Sequence, residues 1–314
     1  SASGFRSSTE IRAHAAANWT GISNPGSLDF YTTPAGSTAP VHRMRISSDG
    51  NVGIGTATPE FALSFGANGS IFSSDAFDSS ASAAVPASVV PAVGAPRSVL
   101  LWWPKRGVFR AGYFPNNRLT SIGDYSVAIG ELATASGEKS IALGSSTWAT
   151  GEAATAIGPS SNAGGLLAIA MGTAATASND RSIAIGCSTN SSGIRSIALG
   201  ANVSATASYA ISMGFADNTG VNGLASGPNS IAIGHSVISE GTASLALGQH
   251  TRSSGQTSTA MGNLTTASGD YSIAAGRFAN ATAEHSMVLG TGINTGNRLI
   301  NNIANSLMIG FNST

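Results

Sequence analysis

The chain has 314 residues, no formal net charge and only 10% charged residues, against about 25% in an average domain. That balance excludes a nucleic-acid groove, which needs clustered Lys and Arg. Charge this sparse, on a chain rich in Gly, Ala, Ser and Thr, points to surface buried between subunits.

The single cysteine, Cys187, rules out an intrachain disulfide and a cysteine zinc site. It reads as a small buried or loop residue, the alternative being a bridge between subunits. No apolar run reaches the length of about 18 residues that a membrane span needs. No signal peptide opens at Ser1, which implies export by another route or a start inside a longer polypeptide.

In chain order, residues 1–65 come first, as a small β-module. Glu10 to His14 and Leu28 to Thr33 alternate like half-buried strands. Pro25-Gly26, Ala35-Gly36 and Asp49-Gly50 punctuate them as turns. The stretch from Arg43 to Pro59 resembles a unit of phage tail fibres and related bacterial surface fibres, where it often precedes a self-cleaving chaperone domain. No such domain is in this sequence, so the resemblance implies a fragment or a cleaved product. Residues 66–98, rich in Ser, Ala, Val and Pro, read as a linker with weak strand character. Residues 99–121 carry an aromatic block, Val99 to Pro104 and Val108 to Phe114. It reads as the N-terminal cap of a solenoid, whose open end would otherwise expose strand edges; a sugar-binding platform is the alternative.

From residue 122 a repeat dominates. Gly130, Gly144, Gly158, Gly172, Gly186, Gly200 and Gly214 recur every 14 residues, and Gly234, Gly248, Gly262, Gly276 and Gly290 resume the period. Two intervals, Gly214 to Gly234 and Gly290 to Gly310, are six residues longer. Before each glycine, large apolar residues alternate with alanine, as in Ile183-Ala184-Ile185. Period-2 alternation means a short strand with both faces buried. The large side chains are expected to fill a narrow core, and the alanines to admit a neighbouring backbone. The second half of each period is small and polar, with glycines such as Gly137 marking a tight turn or a positive φ. Fourteen residues suit two short strands and two turns, one coil of a β-solenoid. Thirteen coils at about 4.8 Å make a rod on the order of 60 Å.

The motif Ser-Ile-Ala-Ile-Gly with a succeeding Ala-x-Gly turn, at this period, resembles the head repeat of YadA-type trimeric autotransporter adhesins. The resemblance covers residues 122–290. It implies an all-β fold: a homotrimeric left-handed parallel β-roll, a β-solenoid, with the small N-terminal β-module. Residues 291–314 read as the last coil and a C-terminal connector, and the segment from Asn301 to Thr314 resembles the region that joins rolls to later fibre units.

No catalytic, cofactor-binding or metal residues emerge. His14, His42, His235, His250 and His285 form no ligand pair and read as solvated loop positions; an anion held by His235 or His250 on the trimer axis is the alternative. Asp270 and Glu240 read as isolated turn residues, so no carboxylate pair faces a glycosidic bond. The most promising surface lies at the irregularities. The extra residues within 217–227 include Asn218, Val221, Asn222 and Leu224, while Phe215 and Trp148 stand at turn positions otherwise filled by small residues. Insertions in a solenoid become loops, and exposed aromatics favour partner or sugar contact. The expected function is attachment of an extracellular fibre, on a virion tail or a bacterial surface, to a glycan or protein receptor on a host or prey cell. Adjoining fibre or baseplate proteins are expected partners. A purely structural shaft is the second reading, and a fibre-borne polysaccharide depolymerase the third.

Overall fold

The structure, a computed structural model, describes residues 9–18, 20–66, 97–114, 122–216 and 223–311. Two compact units emerge, Ser1–Ser74 and Asp75–Thr314. Among the described residues there is no α-helix.

The N-terminal unit is one five-stranded sheet: β1 (Thr9–Ala15), β2 (Gly26–Thr32), β3 (Val41–Ile46), β4 (Val52–Ile54) and β5 (Leu63–Phe65). The first four strands pair antiparallel and β5 joins β4 in parallel. Among its described residues the apolar side chains find no core. Ile11, Val41, Leu63 and Phe61 are exposed, and the one side chain fully buried among the described residues of the unit is Asp29. Arg45 grips the Asp29 carboxylate through Nε at 2.6 Å and Nη2 at 2.8 Å. His42 and His14 approach it at 3.3 and 3.5 Å. These two histidines therefore sit in strands beside a buried carboxylate, not in solvated loops. The Arg45 hydrogen bonds hold the Asp29 carboxyl below the usual carboxylate range, overcoming the opposing effect of burial, with His42 adding to the shift.

The second unit opens with a hairpin, β6 (Arg97–Trp103) and β7 (Val108–Phe114). Strand β6 starts inside the segment expected as linker. β7 pairs in parallel with the first coil strand, Val127–Ile129, so the hairpin continues the coil sheet. Arg106 is ion-paired with Asp124 and donates to the Ile122 carbonyl at 3.1 Å. Arg110 is fully buried in register with Ala128, and burial lowers its guanidinium pKa to about 10.

The coils come next, as a β-solenoid of two parallel sheets. A first sheet of fifteen strands contains the hairpin and the motif strands; a second, of twelve, contains the short strands of the Ala-x-Gly halves. Each strand pairs with the one a coil further on: Ile183 with Ile197, Ala184 with Ala198, Gly186 with Gly200. Stacking in register at backbone distance is what demands glycine. A Cβ on Gly200, whose φ is +132°, would stand 1.7 Å from the Gly214 carbonyl oxygen. Gly193, in the other half of the coil, lacks a positive φ; a Cβ there would meet the Ala207 oxygen at 1.9 Å. Close approach, not left-handed backbone, fixes that glycine.

Other left-handed positions fall on residues with side chains, such as Lys139 (φ 58°) and Ser146 (φ 52°), at two corners of each coil. Such a φ costs an ordinary residue about 1–2 kcal/mol. It persists because each corner amide is engaged by the preceding coil: Lys139 N–H donates to the Asp124 carbonyl and Ser146 N–H to that of Glu131, both at 2.7 Å. The motif serine has a matching task. Ser140 Oγ, buried, donates to the Gly137 carbonyl at 2.6 Å, and Ser196 does the same to Gly193 at 2.7 Å.

The packing of the motif strand is the reverse of the sequence expectation. The alanines, Ala128, Ala142, Ala184 and Ala198 among them, are completely buried inside the coil. The large residues lie on the outside, Ile129 41% exposed and Ile185 39%. Two sheets joined by such short corners leave a narrow space between them, filled mostly by alanine methyls and serine and threonine hydroxyls, with Val203, Val237 and Val288 the largest apolar side chains fully buried there. Cys187 ends the strand Ile183–Cys187 and is exposed, not buried.

The buried carboxylate and the buried alanines each predict an effect on stability. Asp29 has a folded pKa below its unfolded value. Its contribution is therefore complete above the ordinary carboxylate pKa, about 3.9, and is lost as pH falls through the lower folded value. Calorimetry should show the N-terminal unit melting earlier as pH drops below about 4; Asp29→Asn should destabilise it at neutral pH and abolish that acid step. Ala198→Leu inserts three carbons into an interior built for methyl groups and should cost about 1–3 kcal/mol per chain, read as a lowered thermal midpoint. An unchanged midpoint would place Ala198 outside the coil.

Candidate functional site

The two outer faces of the roll differ in chemistry. On the first sheet, the residues one and three before each glycine point outward. Ile141 and Leu143, Ile183 and Ile185, Leu245 and Leu247 are part of an apolar band repeated coil after coil, in register. Members such as Met171, Ile185, Met213, Leu247 and Leu289 are 36–39% exposed. On the second sheet the outward column is mostly polar: Thr134, Trp148, Asn162, Thr176, Asn190, Ser204, then Leu224, Ile238 and Arg252. An apolar face of this extent, broken only where Thr155 and Thr259 take the place of an aliphatic residue, marks an interaction surface, whereas a Thr/Asn/Ser face needs no cover.

The residues singled out by sequence are not brought together. Trp148 lies in the second-sheet strand Trp148–Ala149, half-buried, with Ala149 turned into the core. Phe215 ends the first-sheet strand Ile211–Phe215, 56% exposed. Both are strand residues rather than turn residues, and they sit on opposite faces. Leu224 lies in the strand Gly223–Ala225, between Ser204 and Ile238. It is an ordinary coil position and no part of the insertion. Val203 stands three residues after Gly200, but its register partner Gly223 stands nine after Gly214, so the six extra residues are 217–222. Asn218, Val221 and Asn222 lie outside the described residues.

The second long interval places its extra residues at the same corner. Leu299 takes the position of Ala279, and Arg298 reaches back to the Leu264 carbonyl at 2.8 Å and Asn280 Oδ1 at 3.1 Å.

Around Phe215 the first-sheet column is aromatic and polar. Phe215, His235, Gln249 and Asn263 are successive register partners. The Phe215 and His235 rings stack with centroids 4.4 Å apart, and His250 approaches His235 at 5.0 Å. Gln249 Nε2 lies 3.4 Å from His235 Nδ1, and Asn263 Nδ2 donates to Gln249 Oε1 at 3.0 Å. His235 is thus a strand residue in a ladder. At the left-handed corner, Arg195 donates to the Tyr209 hydroxyl at 2.6 Å, and Tyr271 stacks on His285 at 4.9 Å. For His235–Gln249, Gln249–Asn263, Arg195–Tyr209 and Tyr271–His285 the sequence signal is a 14-residue separation, whereas the extra residues of the interruption set Phe215 and His235 20 apart. Asp270 and Glu240 are not isolated: the first accepts the Gln256 N–H at 2.8 Å, the second pairs with Arg252 at 2.7 Å. Among the described residues no group of three His, Cys, Asp or Glu is placed to hold a metal, and no helix is long and apolar enough to cross a membrane.

Comparison with known families agrees with this geometry. The model of the YadA head domain repeat matches residues 121–147, 149–186, 191–215 and 225–292, together half of the chain. The match skips the 217–222 interruption and stops at the second one. No curated protein matches the sequence.

The asymmetry of the two faces is directly testable. Ile185→Asp, on the apolar face, should change the association state or solubility of the chain in sedimentation analysis. Thr176→Asp, on the polar face, should change neither. Equal effects of the two would show that the faces are equivalent.

Proposed function

Because the chain belongs to the YadA head domain repeat family, an adhesin-like surface-fibre family, we propose that it is a homotrimeric, extracellular segment of such a fibre that attaches its carrier to another cell. The observation that carries this reading is the apolar outer face of the first sheet. An interior of alanine and serine offers little apolar burial within one chain, while the isoleucines, leucines and methionines that could supply it stand outside. Three such faces turned towards one axis bury them and leave the Thr/Asn/Ser faces in solvent. The receptor is a cell-surface glycan or protein, and the neighbours along the fibre are other fibre or baseplate proteins. The N-terminal sheet, by its tail-fibre-like sequence, is the link to such neighbours, and the β6–β7 hairpin serves as the cap of the roll.

Specific contact is assigned to the interruption of the roll: Phe215, the extra residues 217–222, and Leu224 beside them. Trp148 is a lesser contact on the polar face. The small polar residues that make up most of that face favour a second reading, a structural shaft with recognition carried elsewhere.

Light scattering should give about three times 31.2 kDa; a stable folded monomer overturns the trimer. In a cell-binding assay, Phe215→Ala and removal of 217–222 should each reduce attachment without loss of folding. Undiminished attachment by both variants refutes the assignment to the interruption, and a trimer that binds no surface supports the shaft.

A further inference from the structure

The N-terminal sheet folds around a cleft of about 470 Å3, bounded by the end of β1, the turn after β3 and the segment 57–59, with Arg45 in its lining. The volume falls within the range of small-ligand clefts, about 300–1,000 Å3.

Its walls are fixed before any ligand arrives. Arg45 holds Asp29 with two N–H groups, and its Nη1 donates to the Ala57 carbonyl at 2.7 Å. Asn51 ties the two sides together, donating from Nδ2 to the Pro59 carbonyl at 3.3 Å and from its amide to Ser47 Oγ at 3.1 Å. The buried Asp29 carboxylate also sets His14, 3.5 Å away, at the edge of the cleft. A cleft so braced spends little binding free energy on ordering itself.

The lining is polar and carries no unmatched positive charge. Hydroxyls of Ser27, Ser47, Ser48 and Thr58 share it with His14, Arg45 and the Asp49 carboxylate. The Arg45 cation is matched by Asp29, and Asp49 adds a negative charge, so nothing favours phosphate or sulfate. A lining that mixes hydrogen-bond donors and acceptors suits an uncharged ligand rich in hydroxyls. The Asp49 carboxylate can accept two adjacent hydroxyls at once, while guanidinium and imidazole N–H groups donate to sugar oxygens. We infer that this cleft binds a neutral saccharide unit. The inference does not depend on the trimeric arrangement of the roll or on the role assigned to Phe215.

The test is saturation-transfer NMR on the full chain with the methyl glycosides of glucose, mannose, galactose and fucose, and with methyl glucuronide as the charged comparison. At least one neutral glycoside should take up saturation. Asp49→Ala and Ser48→Trp, the second filling the cleft, should each weaken it by about tenfold at an unchanged melting temperature. Tyr271→Ala, on the roll, should leave it intact. The inference fails if no neutral glycoside takes up saturation, if both cleft variants bind as the parent does, or if the glucuronide binds in preference to every neutral sugar.

Discussion

The roll depends on one constraint: successive coils stack in register with their backbones in contact. The glycine column exists because a Cβ at Gly186, Gly200 or Gly248 would lie about 2 Å or less from the carbonyl oxygen of the next coil. The same stacking engages the corner amides, and so stabilises residues like Lys139 and Ser146 in a left-handed backbone that their own side chains resist. It also decides the interior. A coil of this length closes around a space that takes alanine methyls and serine hydroxyls, with valine the largest apolar side chain fully buried in the coils. A chain whose interior is that thin carries its larger apolar groups outside, and they become available for association.

The N-terminal unit answers the same shortage differently. Its sheet lacks a described apolar core and instead converges on Asp29, held by an arginine and flanked by two histidines from three strands. A buried carboxylate without partners would be severely unfavourable; with them it locks the register of β1, β2 and β3 to one another. The cleft beside it inherits that rigidity, because Arg45 belongs to both.

Much of this is legible in the sequence. The recurrence of glycine from Gly130 to Gly290 yields the coil length, the strand and the family, because the period is a direct image of the stacking. The in-out assignment is not legible. Alternation of Ile and Ala reports that successive residues face opposite ways, but not which way is inward; the hydrophobic rule puts the larger residue in the core, and the corner geometry puts it outside. Trp148, Phe215 and Leu224 stand out by residue type, whereas their count from the glycine is what puts all three in strands. The left-handed corners escape notice because Tyr, Lys, Leu and Ser carry no signal for that backbone. The Asp29 cluster is invisible for a different reason: residues 14, 29, 42 and 45 meet only once three strands have paired.

Every hydrogen bond between coils, such as those from Ile183 N–H to Ser196 O or Ile197 N–H to Ala210 O, points along the direction in which the coils stack. A pull along that direction therefore loads the coils one after another rather than all at once, and a single chain so stretched would yield by unzipping from an end. Each coil released returns 14 residues of slack, on the order of 45 Å of extended chain. A fibre segment built this way meets a sudden tug by lengthening in increments, and it can dissipate the load at one coil while its neighbours remain folded.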